Sequence, residues 1–416
     1  MINKLLLLFL AIFVATASVF TQTQTPNSAP PTDSLSRLAQ QLERGEAVLE
    51  YREGRGYLPS LLERLKINVD SQMLVFSKTS FQQAIINPQN PRALYFNDEV
   101  SVGTVPGGDV YELLALEPNH GMVFYTLSTE KTDRPQLRRR GTECFFCHAM
   151  GNKGAPSLVV ASVIPDATGV PAYVSTFIGT IDHREPIERR WGGWYVTGTH
   201  GGQRHLGNAV APDPFHPTDL EQEGTQNLVS LAGKVDTAKY LTGTSDIVAL
   251  MTLEHQVGAA NRMNALAFQY HAIRRDGMSE ADWAQVDKEI DDLVGYMLFV
   301  DEASLSEPVN GTSTFTKTFM ERGPRDARGR SLRDFDLKTR LFRYPLSYMI
   351  YSELFDGLPT PIRDRVYRRL YDVLSTTDPG PKYTRVSAAD RRAILEILVE
   401  TKPTLPGYWV QIQSAT

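Results

Sequence analysis

The sequence predicts an α+β fold: an antiparallel, β-rich N-terminal half followed by a mainly α-helical C-terminal half. Three observations predict it. Between residues 72 and 127 apolar residues alternate with period two, in short runs separated by turn-forming residues. From Thr244 onward the apolar residues recur at helical spacing instead. The chain has 416 residues, 42% of them hydrophobic and 22% charged, which is ordinary for a globular protein and enough for a large core.

Lys4, the unbroken apolar run 5–14 and Ala15-Thr16-Ala17 have the pattern of a secretory signal peptide over residues 1–17. The run is too short to span a membrane, and no later run reaches that length. No membrane span is therefore expected after cleavage, and the mature chain is expected to be periplasmic or secreted. Loss of Lys4 moves the formal net charge from -5 to -6, so no basic field invites nucleic acid. Residues 18–33 are rich in Thr, Gln and Pro and read as a disordered leader.

Leu35, Leu38, Ala39 and Leu42 then mark a helix that Gly45 ends, and a second helical patch follows at 61–65. The strand runs are 73–76, 93–96, 100–105, 110–116 and 122–127, an antiparallel meander. His120 sits in the Pro-Asn-His-Gly turn between the last two and reads as a solvated turn residue.

Both cysteines of the chain fall in Cys144-Phe145-Phe146-Cys147-His148. C-x-x-C-H is the attachment signature of a c-type haem, whose vinyl groups take the two thiols and whose iron takes the imidazole. A thioredoxin-like disulfide would sit on a βαβ pattern, and none flanks the motif. A structural zinc would bring four ligands at short spacings, whereas the next histidine downstream is His183, 35 residues on. One covalent haem c is thus expected on Cys144, Cys147 and His148. Arg139 and Arg140, just upstream, are placed to pair with its propionates. Beyond the motif, 157–164 and 170–177 flank Pro165-Asp166-Ala167-Thr168-Gly169 as a hairpin.

Residues 182–208 have the most unusual composition. They hold three of the eight histidines, four arginines, two of the four tryptophans and six glycines, the last able to let backbone approach a ligand closely. Imidazoles can ligate iron or move protons, and guanidinium groups can polarise a bound oxyanion. His200, His205, Arg190 and Arg204 are the candidates there. His205 stands beside His148 as a candidate iron ligand. Residues 211–236, with His216, read as a connecting excursion.

Thr244-Ser245-Asp246 caps a long helix to about Ile273, which carries Glu254, His255 and Asn261. Helical geometry puts Met251, His255, Ala259 and Arg262 on one face and Glu254, Gly258 and Asn261 on a neighbouring one. His255 is the third candidate distal histidine. Later come a capping box at 279–282, an interleaved Arg/Asp/Gly loop at 322–333, an aromatic helix at 344–351 and a second capping box at 387–390. The expected organisation is a β-rich, haem-bearing region 34–240 and a helical region 241–416 packed on it as one body.

The C-F-F-C-H pentapeptide resembles the haem site of c-type cytochromes. The run R-W-G-G-W-Y-V-T-G-T-H-G-G-Q-R-H-L-G-N at 190–208 and S-D-I-V-A-L-M-T-L-E-H-Q at 245–256 are similar to a family of large exported bacterial monohaem c-type cytochromes. The resemblance implies cofactor and compartment. Length, and a hairpin in place of a helix after the motif, set this chain apart from the small class I cytochrome c fold and its methionine ligand.

The expected function is electron transfer through one haem c to a redox partner protein. The alternative is a peroxidase-like or oxygenase-like haem enzyme acting on a small-molecule oxidant. In it His148 would hold the iron, His200, His205 or His255 would work distally, and Arg190 or Arg204 would polarise the ligand. A haem-based sensor is a third reading.

Overall fold

The computed structural model of the chain describes residues 30–141, 144, 148, 154–171, 179–213, 215, 220, 223–274 and 277–414. The expected signal peptide, residues 18–29 of the leader, Cys147 and His216 lie outside the described residues.

Alternation between residues 73 and 128 produces the first five strands of a six-stranded antiparallel meander in chain order. Its strands are β1 Met73–Val75, β2 Arg92–Phe96, β3 Val100–Thr104, β4 Val110–Glu117, β5 Gly121–Ser128 and β6 Leu137–Arg139. The first five are the strand runs of the sequence. The sixth pairs Tyr125 with Arg139 and Leu127 with Leu137, and its arginines conceal the period.

Successive side chains of a strand point to opposite faces, and here both faces are covered. Leu74, Tyr95, Leu113, Ala115, Val123 and Tyr125 share one core with the helices α1 Ser34–Glu43 and α2 Leu58–Arg64. Met73, Val75, Phe96, Leu114, Leu116, Met122 and Phe124 share the other with the C-terminal helices. These are α3 Ile247–Ile273, α4 Glu280–Met297, α5 Phe315–Glu321, α6 Glu353–Asp356, α7 Thr360–Ser375 and α8 Ala388–Thr401. The layers are therefore helix, sheet, helix, within an α+β class. Among the described residues no helix is long and apolar enough to cross a membrane.

The end of the expected leader is tied down. Asp33 caps α1, accepting from the amides of Leu35 and Ser36 at 2.9 Å each, and it takes the Tyr125 hydroxyl at 2.8 Å. Thr32 binds buried Glu117, which also accepts the amides of Asn119 and His120 and faces the His120 ring at 2.9 Å. His120 is thus a structural partner of Glu117, not a solvated turn residue.

The helix starts follow the sequence. Asp246 accepts from the amides of Val248 and Ala249 at the head of α3, and Ser279 with Asp282 forms the capping box of α4. Ser387 caps α8. Residues 344–351 differ from expectation: they are buried, but Tyr348–Tyr351 is a single 3₁₀ turn capped by Ser347, with Pro345 just ahead of it. The run is too short, and too close to proline, to nucleate an α-helix. The 322–333 loop is laced by ion pairs, with Arg330 on Asp326 at 2.6 Å and on Glu396 at 2.8 Å.

Helix α3 crosses the sheet face from β1 to β5. Ser245 Oγ takes the Leu74 amide at 2.9 Å, Gln256 donates to the Asn97 carbonyl at 2.8 Å, and Asn264 fills the space beside Gly121. On its far side Gly258 receives the Tyr296 hydroxyl of α4, which donates to the His255 carbonyl at 3.2 Å. A methyl group at position 258 would overlap that ring. Gly258→Ala is expected to cost about 1–3 kcal/mol, read as a lower urea midpoint at unchanged m-value.

Candidate functional site

The histidine of the C-x-x-C-H motif is built into the sheet face that α3 covers. Cys144 and His148 both have helical backbone, one turn apart, and Cys144 packs against the main core. The His148 ring lies 4.7 Å from the Phe124 ring of β5. Its Nδ1 is 2.7 Å from the Ser157 carbonyl, while its own carbonyl accepts from the Ser157 amide and hydroxyl at 2.6 and 3.1 Å. A carbonyl oxygen only accepts, so Nδ1 carries the proton and Nε2 of the neutral ring carries the lone pair.

Residues 156–158 are in turn bolted to α3. Asn261 accepts the Leu158 amide and donates to the Leu158 carbonyl, both at 2.8 Å, and Asn264 donates to the Pro156 carbonyl at 2.5 Å. Burial lowers the pKa of His148, the Ser157 carbonyl opposing it, and the charges of Arg92 and Glu112 act on the ring from the same sheet face. Arg92 Nη2 holds Glu112 at 2.6 Å, and its buried Nε has no hydrogen-bond partner among the described residues. The Arg140 amide donates to the Phe124 carbonyl at 2.8 Å, which sets Arg140 beside the strand that packs on His148. Arg139 is exposed on β6, opposite Tyr125.

These residues suit a covalent haem. One imidazole is held with Nδ1 on a carbonyl and Nε2 carrying the lone pair, the kind of contact that orients ligating histidines. A haem iron asks one or two ligands of the protein, so the site does not need a cluster of donors. Among the described residues no three His, Cys, Asp or Glu side chains converge as a bare metal ion would require. Sequence reasoning missed Ser157, Asn264, Phe124 and Arg92. Each acts through a contact distant in the chain that no local pattern announces.

The remaining candidates form a second centre. The His200 and His205 rings lie 4.8 Å apart, and His205 meets the edge of Trp191 at 5.5 Å. Trp191 Nε1 donates to Glu254 Oε1, and Arg190 Nη1 donates to Glu254 Oε2 at 3.2 Å. Arg190 also donates to the carbonyls of Glu185 at 2.6 Å and His183 at 3.0 Å. His183 Nδ1 faces His255 Nδ1 at 3.1 Å, and His255 Nε2 faces the Ser347 hydroxyl at 2.7 Å. His200, His205, Arg190 and His255 are thereby linked into one buried chain. Arg204 is exposed, and its charge acts on the neighbouring His205.

Both ring nitrogens of His255 and the guanidinium of Arg190 are committed to protein groups. His200 Nε2 accepts the Asn227 amide at 3.1 Å. The Nδ1 atoms of His200 and His205 and the Nε2 of His183 are buried without a hydrogen-bond partner among the described residues. The glycines of this segment approach protein, not a ligand: a Cβ on Gly192 would strike the Val163 carbonyl, and one on Gly193 would strike Ser77.

Burial sets the protonation of this centre. It pushes Glu254 up to about 7, with Arg190 and Trp191 pulling back, and it holds His255 and His205 down to about 3. His183 lies well below 6.5, from burial first, then from a neighbouring imidazole, His255, with which it would have to share positive charge, and then from the charge of Arg190. The chain can therefore hold or pass a proton at Glu254 near neutral pH while its imidazoles stay uncharged.

Two outcomes are expected. Arg190→Ala leaves the Glu254 carboxyl buried without its cation and should cost about 3–5 kcal/mol. A double-mutant cycle with Glu254→Gln should show a double variant less damaged than the sum of the singles. The second concerns pH. In the unfolded chain His205 and His255 titrate near 6.5, so that state binds protons the folded state refuses, and stability falls as pH drops from about 6.5 toward 3. Glu254 acts in the opposite sense. Its folded form keeps a proton that the unfolded form releases near 4.5, so stability is lost as pH rises from about 4.5 to 7. Denaturation midpoints measured across pH 3–8 should show both limbs; Glu254→Gln should shrink the upper one, and the remainder belongs to Glu302, which burial also pushes up to about 7.

Comparison of the chain with protein-family models, with curated proteins and with solved structures gives no match.

Proposed function

We propose that the chain carries one covalently attached haem c on Cys144, Cys147 and His148 and works as an exported, periplasmic redox protein that passes electrons to a partner. The observation that carries this reading is the Nδ1 contact to Ser157 on the histidine of a C-x-x-C-H motif, which leaves Nε2 bare for iron. Bound there, the haem supplies one-electron chemistry at its iron.

The rest belongs to the chain. The thiols of Cys144 and Cys147 would hold the haem covalently through its vinyl groups, and His148 would ligate its iron. Ser157 fixes the imidazole plane, and Phe124 packs on it. Arg140, beside that strand, supplies charge suited to the propionates; Arg92 is held by Glu112, and Arg139, opposite Tyr125, lies on the other face of the sheet. Electron transfer is favoured over ligand activation because Arg190 and His255, which a haem enzyme would turn on an iron-bound ligand, are committed to Glu254, His183 and Ser347.

The test is made on protein purified from an exporting bacterial host. Haem staining should survive denaturing electrophoresis, and the optical spectrum should be low-spin and unchanged by CO or cyanide. Cys144→Ala with Cys147→Ala should abolish the covalent stain. Persistence of the stain would end the cofactor reading, and a high-spin spectrum that shifts with CO would replace the carrier by a ligand-binding haem enzyme.

A further inference from the structure

Behind Phe299, whose ring stacks on His255 at 4.3 Å, lies a cavity of about 240 Å³ that opens to the surface. Its wall comes from two segments already tied to the buried centre: Ala303 donates to the His183 carbonyl at 3.0 Å, and Ser347 to the Met297 carbonyl at 2.8 Å. Glu302, Ser304, Arg340 and Arg385 line it. No role assigned above uses them.

Glu302 is 7% exposed. One carboxyl oxygen accepts the Leu341 amide at 2.7 Å, and the other, with no donor among the described residues, is open to the cavity. A carboxyl oxygen that faces the cavity without a protein partner is free to meet a group bound there. Burial pushes it up to about 7, opposed by the Leu341 amide and by the charges of Arg190, Arg340 and Arg385. Near neutral pH it therefore has an O–H to donate for much of the time.

The two arginines at the cavity differ. Arg340 is neutralised by Asp390, bound through both terminal nitrogens at 3.1 and 3.0 Å. Arg385 donates only to neutral oxygens, the carbonyls of Glu302 at 2.8 Å and Val300 at 3.5 Å and the Ser304 hydroxyl at 3.0 Å, and has no carboxylate partner among the described residues. With Glu302 protonated, the cavity presents a net positive charge and three kinds of donor: the spare N–H groups of Arg385, the Ser304 hydroxyl and the Glu302 O–H. This is the chemistry that holds a carboxylate or phosphate group.

We propose that this cavity is a binding site for a small oxyanion, with Arg385 as its cation and Glu302 and Ser304 as neutral donors. The site stands independently of iron at His148. Acetate and inorganic phosphate are the probes, titrated into the full-length protein by calorimetry at pH 6. At least one should give a saturable isotherm with one site. Arg385→Gln should weaken it at least tenfold, and Ser304→Ala several-fold, with thermal melts confirming that both variants fold. For acetate, affinity should fall as pH rises from 6 to 8, because Glu302 then becomes a second anion, and Glu302→Gln should bind with that pH dependence removed. Saturation by neither anion, affinity unchanged in Arg385→Gln, or preferential binding of methylammonium would overturn the assignment.

Discussion

The constraint on which the rest depends is the burial of α3. Residues 247–260 are buried all round the helix, not on one stripe. A helix in that position can carry polar side chains only where each meets a partner, because an unpaired buried polar group costs more than most hydrogen bonds contribute. Glu254, His255, Gln256 and Asn264 are all inside, and each meets one. Arg190 and Trp191 meet Glu254, Ser347 and His183 meet His255, Asn97 and Tyr348 meet Gln256, and Pro156 meets Asn264. The partners come from segments far apart in the chain, so satisfying one helix fixes the mutual positions of the sheet, the His/Arg/Trp-rich segment and the helical half.

Much of the fold could be read beforehand because its signals are local. Alternation marked five strands, and Asp246, Ser279 and Ser387 marked three helix starts by chemistry that acts within one turn. What escaped is what pairing and burial decide. β6 forms because Tyr125 and Leu127 offer an open edge, although its own residues are two arginines and one leucine. The 344–351 run looked helical from its aromatic content, and the proline at 345 with the Ser347 cap holds it to a single turn. At the site, residue types were readable and partnerships were not. His183 and Glu254 were plainly unusual in composition, but only the fold shows that His183 faces His255, or that Arg190 is spent on Glu254.

Density of histidine and arginine in residues 182–208 therefore means something different from what composition suggests. Four of the catalytic candidates are adjacent, yet their adjacency is that of a buried polar core: Arg190, His183 and His255 bind one another and the backbone. The glycines that could have bared a ligand surface instead bring the Trp191 turn against Val163 and Ser77. Keeping such a core uncharged is what burial achieves for its imidazoles. Glu254 is the member whose proton comes and goes near neutrality.

The same helix ties this core to His148. Seven residues separate Glu254 from Asn261, close to two full turns, so both lie on one face of α3, about 10 Å apart along the axis. Gly258 lies on that face between them, and there Tyr296 is pressed against the helix. At one end of the row Asn261 holds Leu158, whose neighbour Ser157 orients the His148 ring; at the other Glu254 holds Arg190 and Trp191. Rotation of α3 by even a fraction of a turn would break the contacts at both ends together, since neither amide nor carboxylate could follow its partners. The orientation of His148 and the closure of the buried polar core are thus consequences of one packing arrangement.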